Sequence, residues 1–353
     1  FIFRCIIFGT LALPHTWGID RVAYRVVIGA VLHLLVQVPS VIRLPQRFYT
    51  RAAGLKDKAV RQVVKLMVPS LIGAGVVQLN FVANTIIALS LGEGSASAVA
   101  LAFTLMLMPQ RTIAQSAGIA SLPTLSAQAE LGQLAALRKT LSGILRVILL
   151  LAIPSTIGLI LIRYPLVRVL YERGAFTSHS TDLVSWALLW YSAGLVGHSL
   201  VEVLSRAFYA LHDTKTPVSV GVIAMAINIL LSFGLASLFE RVGWLPLGGL
   251  ALANSLATAL ESVALLIILR RRLQGLEGRR ILQAAGVGLL GSALMGAMVW
   301  GWLRWTTPFH PVIALAGGLV LGLVAYAVVV WLAKVPEVFA LVSRLKRRLQ
   351  RKG

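Results

Sequence analysis

The sequence predicts an all-α fold, a polytopic bundle of about ten transmembrane helices. Three observations predict it: 58% of the 353 residues are hydrophobic, the mean hydropathy is +0.85, and long apolar stretches follow one another along the chain. A bilayer core of about 30 Å needs roughly 20 apolar residues per helix. The predicted spans are 1–16, 22–42, 62–91, 96–121, 141–163, 183–209, 217–239, 247–270, 281–303 and 312–333.

Lys and Arg are concentrated in alternate gaps between these spans. If the 43–65 segment lies in the cytoplasm, the cytoplasmic segments carry 22 of the 33 Lys and Arg residues and the opposite side carries seven. This asymmetry follows the positive-inside rule, so we expect the 43–61 region and the C-terminal tail to face the cytoplasm. The net charge of +21 therefore indicates membrane orientation and contact with membrane lipid, not nucleic acid.

Polar segments divide the chain into lobes. We expect residues 1–44 to form the last two helices of an N-terminal lobe, 45–61 a cytoplasmic linker, 62–335 an eight-helix C-terminal lobe, and 336–353 a basic cytoplasmic tail. Because the first span is short and starts without methionine, we expect further helices upstream. Two segments, 123–140 and 164–182, are expected to be amphipathic helices on the cytoplasmic and outer membrane surfaces, the second ending at Gly174.

The sequence contains no recognisable catalytic or metal-binding pattern. HExxH, GxSxG and Walker motifs are absent, and Cys5 is the single cysteine. We therefore expect a protein that is not an enzyme and that needs no metal or cofactor. A membrane-embedded glycosyl- or acyltransferase is the alternative from another class, and it would need an acidic, His or Ser cluster at a membrane face.

Two charged residues inside one predicted span can neutralise each other. Glu202 lies four residues before Arg206, so the two side chains share a helix face and predict an ion pair. His198 lies one turn before Glu202, which leaves open a proton-sensitive cluster at this position.

Three pairs of uncharged polar residues lie four positions apart inside predicted spans. Each pair shares a helix face, and polar groups in hydrocarbon are costly without partners. We expect the three faces to converge within one lobe, either as hydrogen bonds between helices or as a cation or substrate site. The pairs are Asn80 with Asn84, Asn228 with Ser232, and Asn254 with Thr258.

Arg111 is the charged residue inside the 96–121 span, where an unpaired guanidinium costs several kcal/mol. It follows Pro109, which predicts a kink, and Gln110 and Gln115 lie close by. Two interpretations stay open. Arg111 either faces a water-filled cleft and binds an anionic group through its planar donor fork, or it snorkels to the cytoplasmic surface.

Four stretches of the sequence carry a resemblance to a known family. They are NTIIALSLGEGSASAVALAFTLMLMPQ at 84–110, SLPTLSAQ at 121–128, LYERGAFT at 170–177 and EVLSRAFYALHDTKTPV at 202–218. Together they resemble the lipid II flippase (MurJ/MviN) family of the multidrug/oligosaccharidyl-lipid/polysaccharide exporter superfamily. The match runs through essentially the whole chain, from about the fifth helix of a fourteen-helix family to its end. The structural signature is Gly174, Phe176, Thr177, Arg206, Asp213, Lys215 and Pro217.

The resemblance implies a two-lobed transporter of the bacterial cytoplasmic (inner) membrane. It would move a polyprenyl-pyrophosphate-linked peptidoglycan precursor, lipid II, to the outer leaflet by alternating access. Na+, H+ or the membrane potential would supply the driving force. The alternative within the same superfamily is an exporter of another polyprenyl-linked glycan or of drugs.

The resemblance also implies a substrate-binding face on the 96–121 helix. Many members carry an Arg there in the pattern Arg-Leu-Met-x-x-Pro, and Thr104 occupies that position in this chain. Arg111 lies two turns further along roughly the same face and would supply the positive charge instead. The expected substrate-binding residues are therefore Thr104, Gln110, Arg111 and Gln115.

Two further family features map onto later spans. Some members hold a cation with carboxylates on the helices matching 62–91, 217–239 and 247–270. The matching residues here are all uncharged, which disfavours tight cation binding. This candidate cation site consists of Asn84, Asn228, Ser232 and Thr258. The last two helices of the family form a groove for the lipid tail, and the spans 281–303 and 312–333 are correspondingly apolar.

Overall fold

The computed structural model describes the last seven of the ten predicted spans and part of the second and third. The described residues are 27–28, 30–32, 34–36, 38–39, 75, 78–306 and 310–333. The chain divides into two compact units, 1–66 and 67–353, and nearly all described residues lie in the second. The predicted span 1–16, the 45–61 linker and the 336–353 tail lie outside the described residues, as do parts of the spans 22–42 and 62–91.

Ten α-helices follow one another between residues 78 and 332 of the described chain. One of them, α2, runs directly into α3 through a π-helix at Arg111–Gln115. The helices are α1 at 78–90, α2 at Ser95–Gln110, α3 at Ser116–Glu130, α4 at Leu134–Tyr171, α5 at Ser178–Ala193, α6 at Leu195–Ala210, α7 at Lys215–Arg241, α8 at Leu247–Arg272, α9 at Gly278–Trp305 and α10 at Pro311–Leu332.

These helices are long and apolar enough to form a multi-pass membrane protein. Six helical stretches among the described residues could each cross a membrane, or seven if α5 and α6, which meet at an angle of 49°, form one span. Each of the seven predicted spans from 96–121 onward coincides with one of these stretches. The all-α, polytopic fold class predicted from the sequence is confirmed.

The two predicted surface helices are wrong. Residues 123–130 belong to α3, which continues through Pro123 and ends at Glu130. Residues 131–133 form the turn before α4, where Gly132 has a φ of 67°. Residues 164–171 complete α4, which ends at Tyr171 after passing Pro165. The 38 residues of α4 extend about 57 Å, well beyond a bilayer core of about 30 Å. The prediction was wrong because it limited each helix to the length that crosses the bilayer core.

The bend between α5 and α6 has an identifiable cause at Gly194. The backbone N–H of Gly194 bonds to the carbonyl of Tyr191, so the carbonyl of Trp190 loses its usual helical donor. Ser255 of α8 replaces that donor, with its Oγ 2.7 Å from the Trp190 oxygen. A β-carbon at position 194 would lie 2.6 Å from Ser255 Oγ, so glycine permits this approach.

On the other side of the bundle, α9 and α10 pack against α4. Pro154 has no N–H to donate to the carbonyl of Leu150, one turn earlier in α4. The hydroxyl of Tyr326 on α10 donates to that carbonyl instead, at 2.5 Å. The proline therefore creates an acceptor inside the apolar region, and Tyr326 both satisfies it and fixes α10 on α4.

Candidate functional site

The α2 face that carries Arg111 is exposed in the described unit. Thr104, Arg111 and Gln115 are all exposed and follow one another along this face. Gln110, by contrast, is 7% exposed and lies on the packed side of α2. The structure therefore brings three of the four predicted substrate-binding residues to one face and separates Gln110 from them.

The π-helix at Arg111–Gln115 begins two residues after Pro109. It is closed by the backbone N–H of Ser116, which donates to the carbonyl of Arg111 five residues earlier. Such wide turns are rare and occur frequently at functional sites. The predicted distortion after Pro109 is thus present as a widened turn, and Arg111 is its first residue.

Arg206 of α6 packs against the helix just beyond this turn. A β-carbon on Gly118 would lie 2.6 Å from Cδ and Nε of Arg206, so the glycine leaves room for the arginine side chain. The guanidinium bonds to Glu202 one turn earlier, with Nε 3.0 Å from Oε1. The predicted ion pair between Glu202 and Arg206 is confirmed, and it supports α3 directly after the π-helix.

The polar faces of α1 and α7 meet inside the bundle. Asn84 donates through Nδ2 to the backbone and side-chain oxygens of Asn80, both at 3.0 Å. Ser232 lies with its Oγ 3.2 Å from Asn84 Oδ1 and 3.0 Å from Asn228 Oδ1. Asn228 and Ser232 are 2% and 0% exposed. The predicted convergence of these two faces is confirmed, and hydrogen bonds between helices hold it.

The third polar pair has a partner on α6. Asn254 Oδ1 lies 3.0 Å from His198 Nε2, and Thr258 Oγ1 lies 3.3 Å from the same nitrogen. Thr258 also donates to the backbone carbonyl of Asn254 at 2.9 Å. His198 therefore binds α8 and not Glu202, whose partner is Arg206. The cluster of His198 with Glu202 that the sequence left open is therefore not formed, and His198 instead contacts Asn254 and Thr258.

A pocket of about 120 Å³ joins the first and third polar faces. Asn80, Asn84 and Thr85 line it from α1, Phe103 from α2, and Tyr191 and Asn254 from α5 and α8. Tyr191 and Phe103 pack with ring centroids 5.3 Å apart. None of the lining residues that the structure describes is charged. Sequence reasoning missed Tyr191 and Phe103, because an aromatic residue in an apolar span has no pattern that separates a pocket wall from a core position.

The candidate cation site is only partly assembled. Asn84, Asn228 and Ser232 form one hydrogen-bonded group, whereas the hydroxyl of Thr258 is engaged by Asn254 and His198. No group of three or more His, Cys, Asp or Glu side chains able to hold a metal ion occurs in the part of the chain that the structure describes. The oxygens available at this site are thus neutral amide and hydroxyl oxygens.

The turn at 172–177 contains the signature residues Gly174, Phe176 and Thr177, and its geometry explains them. Gly174 has a φ of 62°, a left-handed conformation that favours glycine. Phe176 folds back on Tyr171, with ring centroids 5.9 Å apart. The carbonyl of Thr177 accepts the N–H of Thr181, which starts α5. This turn therefore reverses the chain between two long helices.

The turn at 211–214 and the start of α7 explain the signature residues Asp213, Lys215 and Pro217. Asp213 accepts hydrogen bonds from the backbone and hydroxyl of Thr216 and forms an ion pair with Arg272 at the end of α8. Lys215 is the first residue of α7, and Pro217 lies in its first turn and is buried. Burial alone would raise the pKa of the Asp213 carboxyl, but the Thr216 bonds and the Arg272 charge outweigh it and lower the pKa.

Comparison with known proteins identifies the family. The family model described as "Lipid II flippase MurJ" matches residues 4–320 of the 353. The chain belongs to the lipid II flippase MurJ family. Among curated MurJ-family proteins, the chain is 30% identical to the probable lipid II flippase MurJ of Vibrio cholerae, covering 88% of this chain and 59% of that protein. It is 32% identical to the lipid II flippase MurJ of Burkholderia cenocepacia, covering 88% of this chain and 61% of that protein.

The solved structures agree with this assignment. A lipid II flippase MurJ in an inward closed conformation matches with a TM-score of 0.74 and 25% identity, over 93% of this chain and 64% of that one. A MOP-superfamily transporter from Pyrococcus furiosus matches with a TM-score of 0.53 and 17% identity, over 76% of this chain and 64% of that one, which shows a shared fold.

Membership of the MurJ family and the apolar helices identify a multi-pass protein of the bacterial inner membrane. The chain spans about 60% of the length of the two curated relatives it matches. The family is a family of lipid II flippases, which are transporters.

Proposed function

We propose that this MurJ-family chain takes part in moving lipid II, the lipid-linked peptidoglycan precursor, across the bacterial inner membrane by alternating access. The family match over residues 4–320 is the observation that carries the proposal. The relatives named above are flippases or probable flippases for this substrate.

Arg111 would bind the anionic part of the substrate. Its side chain is exposed on the face that also carries Thr104 and Gln115, and it has no hydrogen bond or ion pair with any residue that the structure describes. A guanidinium offers several donors in a planar fork that fits phosphate oxygens. A diphosphate that crosses a low-dielectric region needs such donors to replace its water shell.

The polar group of α1 and α7 would not supply strong ion coupling. A monovalent cation bound by Asn84, Asn228 and Ser232 would have neutral oxygen ligands alone, and hard cations are held more tightly by carboxylates. We propose that H+ or the membrane potential, and not tight Na+ binding, drives transport. Replacing Na+ with N-methyl-D-glucamine should therefore leave translocation unchanged, and a several-fold loss would reverse this assignment.

Complementation tests the proposed function. The complete coding sequence that contains this chain should restore growth and cell shape to a bacterium depleted of its own lipid II flippase. The protein must be detected in the membrane fraction of the same cells. If it accumulates there and the cells still lyse, the substrate is a different lipid-linked glycan or a drug, and the lipid II proposal is wrong.

The proposed orientation places the 172–177 turn outside and the 273–277 turn in the cytoplasm, because the basic residues concentrate on the second side. With Cys5 replaced by Ser, a Ser178→Cys variant should react with a membrane-impermeant thiol reagent in intact cells. A Gln274→Cys variant should react only after the membrane is opened. Both positions are exposed. The reverse pattern of labelling would invert the orientation.

A further inference from the structure

The pocket between α1, α2, α5 and α8 is lined in part by residues whose hydrogen-bond donors have no partner in the described part of the chain. Tyr191 is 5% exposed, lines the pocket, and its hydroxyl has no hydrogen-bond partner among the residues that the structure describes. Asn80 and Asn254 line the same pocket from two other helices.

The hydrogen-bond network fixes the orientation of both amides. Asn84 bonds to the backbone carbonyl of Asn80, so the bonding atom of Asn84 must be its nitrogen, and the Asn80 atom facing that nitrogen must be its oxygen. The Nδ2 group of Asn80 therefore remains as a donor. It has no other bond within the described part of the chain.

The side-chain amide of Asn254 is also oriented by its partners. Thr258 uses its single proton on the carbonyl of Asn254, at 2.9 Å, and so accepts from His198. His198 Nε2 therefore carries a proton, and the Asn254 atom that faces it at 3.0 Å is the side-chain oxygen. The Nδ2 group of Asn254 is therefore a second donor without a partner among the described residues.

We propose that this pocket binds an amide carbonyl, such as that of the acetamido group of an N-acetylated sugar, through Tyr191, Asn80 and Asn254. This proposal rests on the proposed function, because it assigns the pocket to a neutral part of the translocated headgroup. The three donor-bearing residues line the pocket from three helices, and none of its lining residues that the structure describes is charged, so a neutral acceptor fits better than a phosphate or a cation.

The apolar wall of the pocket fits the methyl of an acetamido group. Ala96, Val99 and Ala100 of α2 line the pocket beside the Phe103 ring. The volume of about 120 Å³ is well above the roughly 10–15 Å³ that a cavity needs to hold one water molecule. A hydroxyl-rich group without a methyl would leave this wall in contact with polar atoms.

Ligand-observed NMR tests the site directly. The purified chain in lipid nanodiscs is mixed with millimolar N-acetylglucosamine, and saturation transfer to the acetamido methyl is measured, with glucose as the probe that lacks this group. We expect transfer to the methyl and none above background for glucose. Tyr191→Phe removes one donor and keeps the ring, so binding should weaken about three- to tenfold.

Tyr164→Phe is the matched control, because Tyr164 is 41% exposed and does not line the pocket. Asn80→Ala, on a different helix, should weaken binding to a similar degree. Thermal unfolding of each variant checks that the fold is intact. Equal transfer for the two sugars, no transfer at all, or unchanged binding in both Tyr191→Phe and Asn80→Ala would each overturn the proposal.

This experiment separates the pocket from the proposed function. If complementation succeeds and the acetylated sugar does not bind, the pocket assignment is wrong and the flippase proposal stands. If the sugar binds in the expected way and complementation fails, the pocket is a carbohydrate amide site of a transporter with another substrate.

Discussion

The hydrogen bonds that join helices differ in part between the two sides of the described bundle. In the polar half, formed by α1, α2 and α5–α8, polar side chains bond to one another, as in Ser232 with Asn84 and His198 with Asn254. Ser255 in this half also bonds to a backbone carbonyl, that of Trp190. In the apolar half, formed by α4, α9 and α10, aromatic donors bond to backbone carbonyls. Tyr326 bonds to Leu150 and Trp302 to Ala314.

The difference separates stability from function. In the apolar half, each of these donors satisfies a backbone carbonyl and has nothing left to offer a ligand. In the polar half, Tyr191, Asn80 and Asn254 line a pocket and keep donors that have no partner among the described residues. Replacement of a tyrosine by phenylalanine should therefore reduce stability in the apolar half and ligand binding in the polar half.

The largest expected loss of stability comes from Gly249→Ala in the polar half. A β-carbon there would lie 2.6 Å from backbone atoms of Leu235 and Ala236, and backbone cannot move aside as a flexible side chain can. The α7–α8 crossing would have to open, at a cost of about 1–3 kcal/mol or more. The apparent melting temperature in detergent measures this effect.

Gly288→Ala is the matched variant in the apolar half. Its β-carbon would meet Ile153 Cδ1 at 3.2 Å, the far end of a flexible side chain, so the melting temperature should change little. If Gly288→Ala destabilised the protein as much as Gly249→Ala, then the close backbone contact at Gly249 would not make the α7–α8 crossing more sensitive than the packing of α9 on α4.

Tyr326→Phe should cost the next largest amount. It leaves the Leu150 carbonyl without a donor beside Pro154, and a buried unsatisfied acceptor costs about 1–3 kcal/mol. The melting temperature should fall, while N-acetylglucosamine binding by the folded protein stays unchanged. Tyr191→Phe should give the opposite result. A loss of sugar binding in Tyr326→Phe would break the comparison between the two halves.

Ser232→Ala should have a smaller effect. It removes a hydroxyl that contacts both Asn84 and Asn228, and hydrogen bonds between membrane helices contribute about 0.6 kcal/mol on average. The melting temperature should decrease slightly. Ser155→Ala is the control, because its hydroxyl bonds only to the carbonyl of Leu151 in its own helix. An equal decrease in the two variants would mean that Ser232 does not join α1 to α7.

The smallest effect is expected at Asp213, outside the membrane. Its pKa is lower in the folded protein than in the unfolded chain, so its stabilising effect is fully present at neutral pH. That effect is lost as the pH falls below the ordinary carboxyl value, about 4, towards the lowered pKa. The difference in melting temperature between wild type and Asp213→Asn should therefore shrink on acidification. A constant difference would show that the Arg272 ion pair and the Thr216 bonds do not depend on the charge.

Much of the fold follows from hydropathy, because apolar length is a direct consequence of bilayer thickness. All seven spans from residue 96 onward are where the sequence predicts them, and i,i+4 spacing correctly predicted that Asn84 and Ser232 would meet. Helix ends beyond the bilayer are not constrained in this way, which is why α3 and α4 were each predicted too short.

The candidate site depended on features that the sequence does not specify. Gln110 is adjacent to the exposed Arg111 in sequence, and only the packing of α2 shows that Gln110 is buried. The partner of His198 is 56 residues away on α8, whereas Glu202 is one turn away. Tertiary contacts thus replaced the local pairing that spacing suggested.

The central claim is that Arg111 binds the anionic part of the translocated lipid through its guanidinium fork. Translocation of a labelled lipid II is measured with the complete protein and with Arg111→Lys, which keeps the charge and loses the fork. We expect at least a tenfold slower rate for Arg111→Lys at equal membrane abundance. Arg271→Lys, an exposed arginine at the end of α8, should behave as wild type. Translocation at the wild-type rate by Arg111→Ala would contradict the claim.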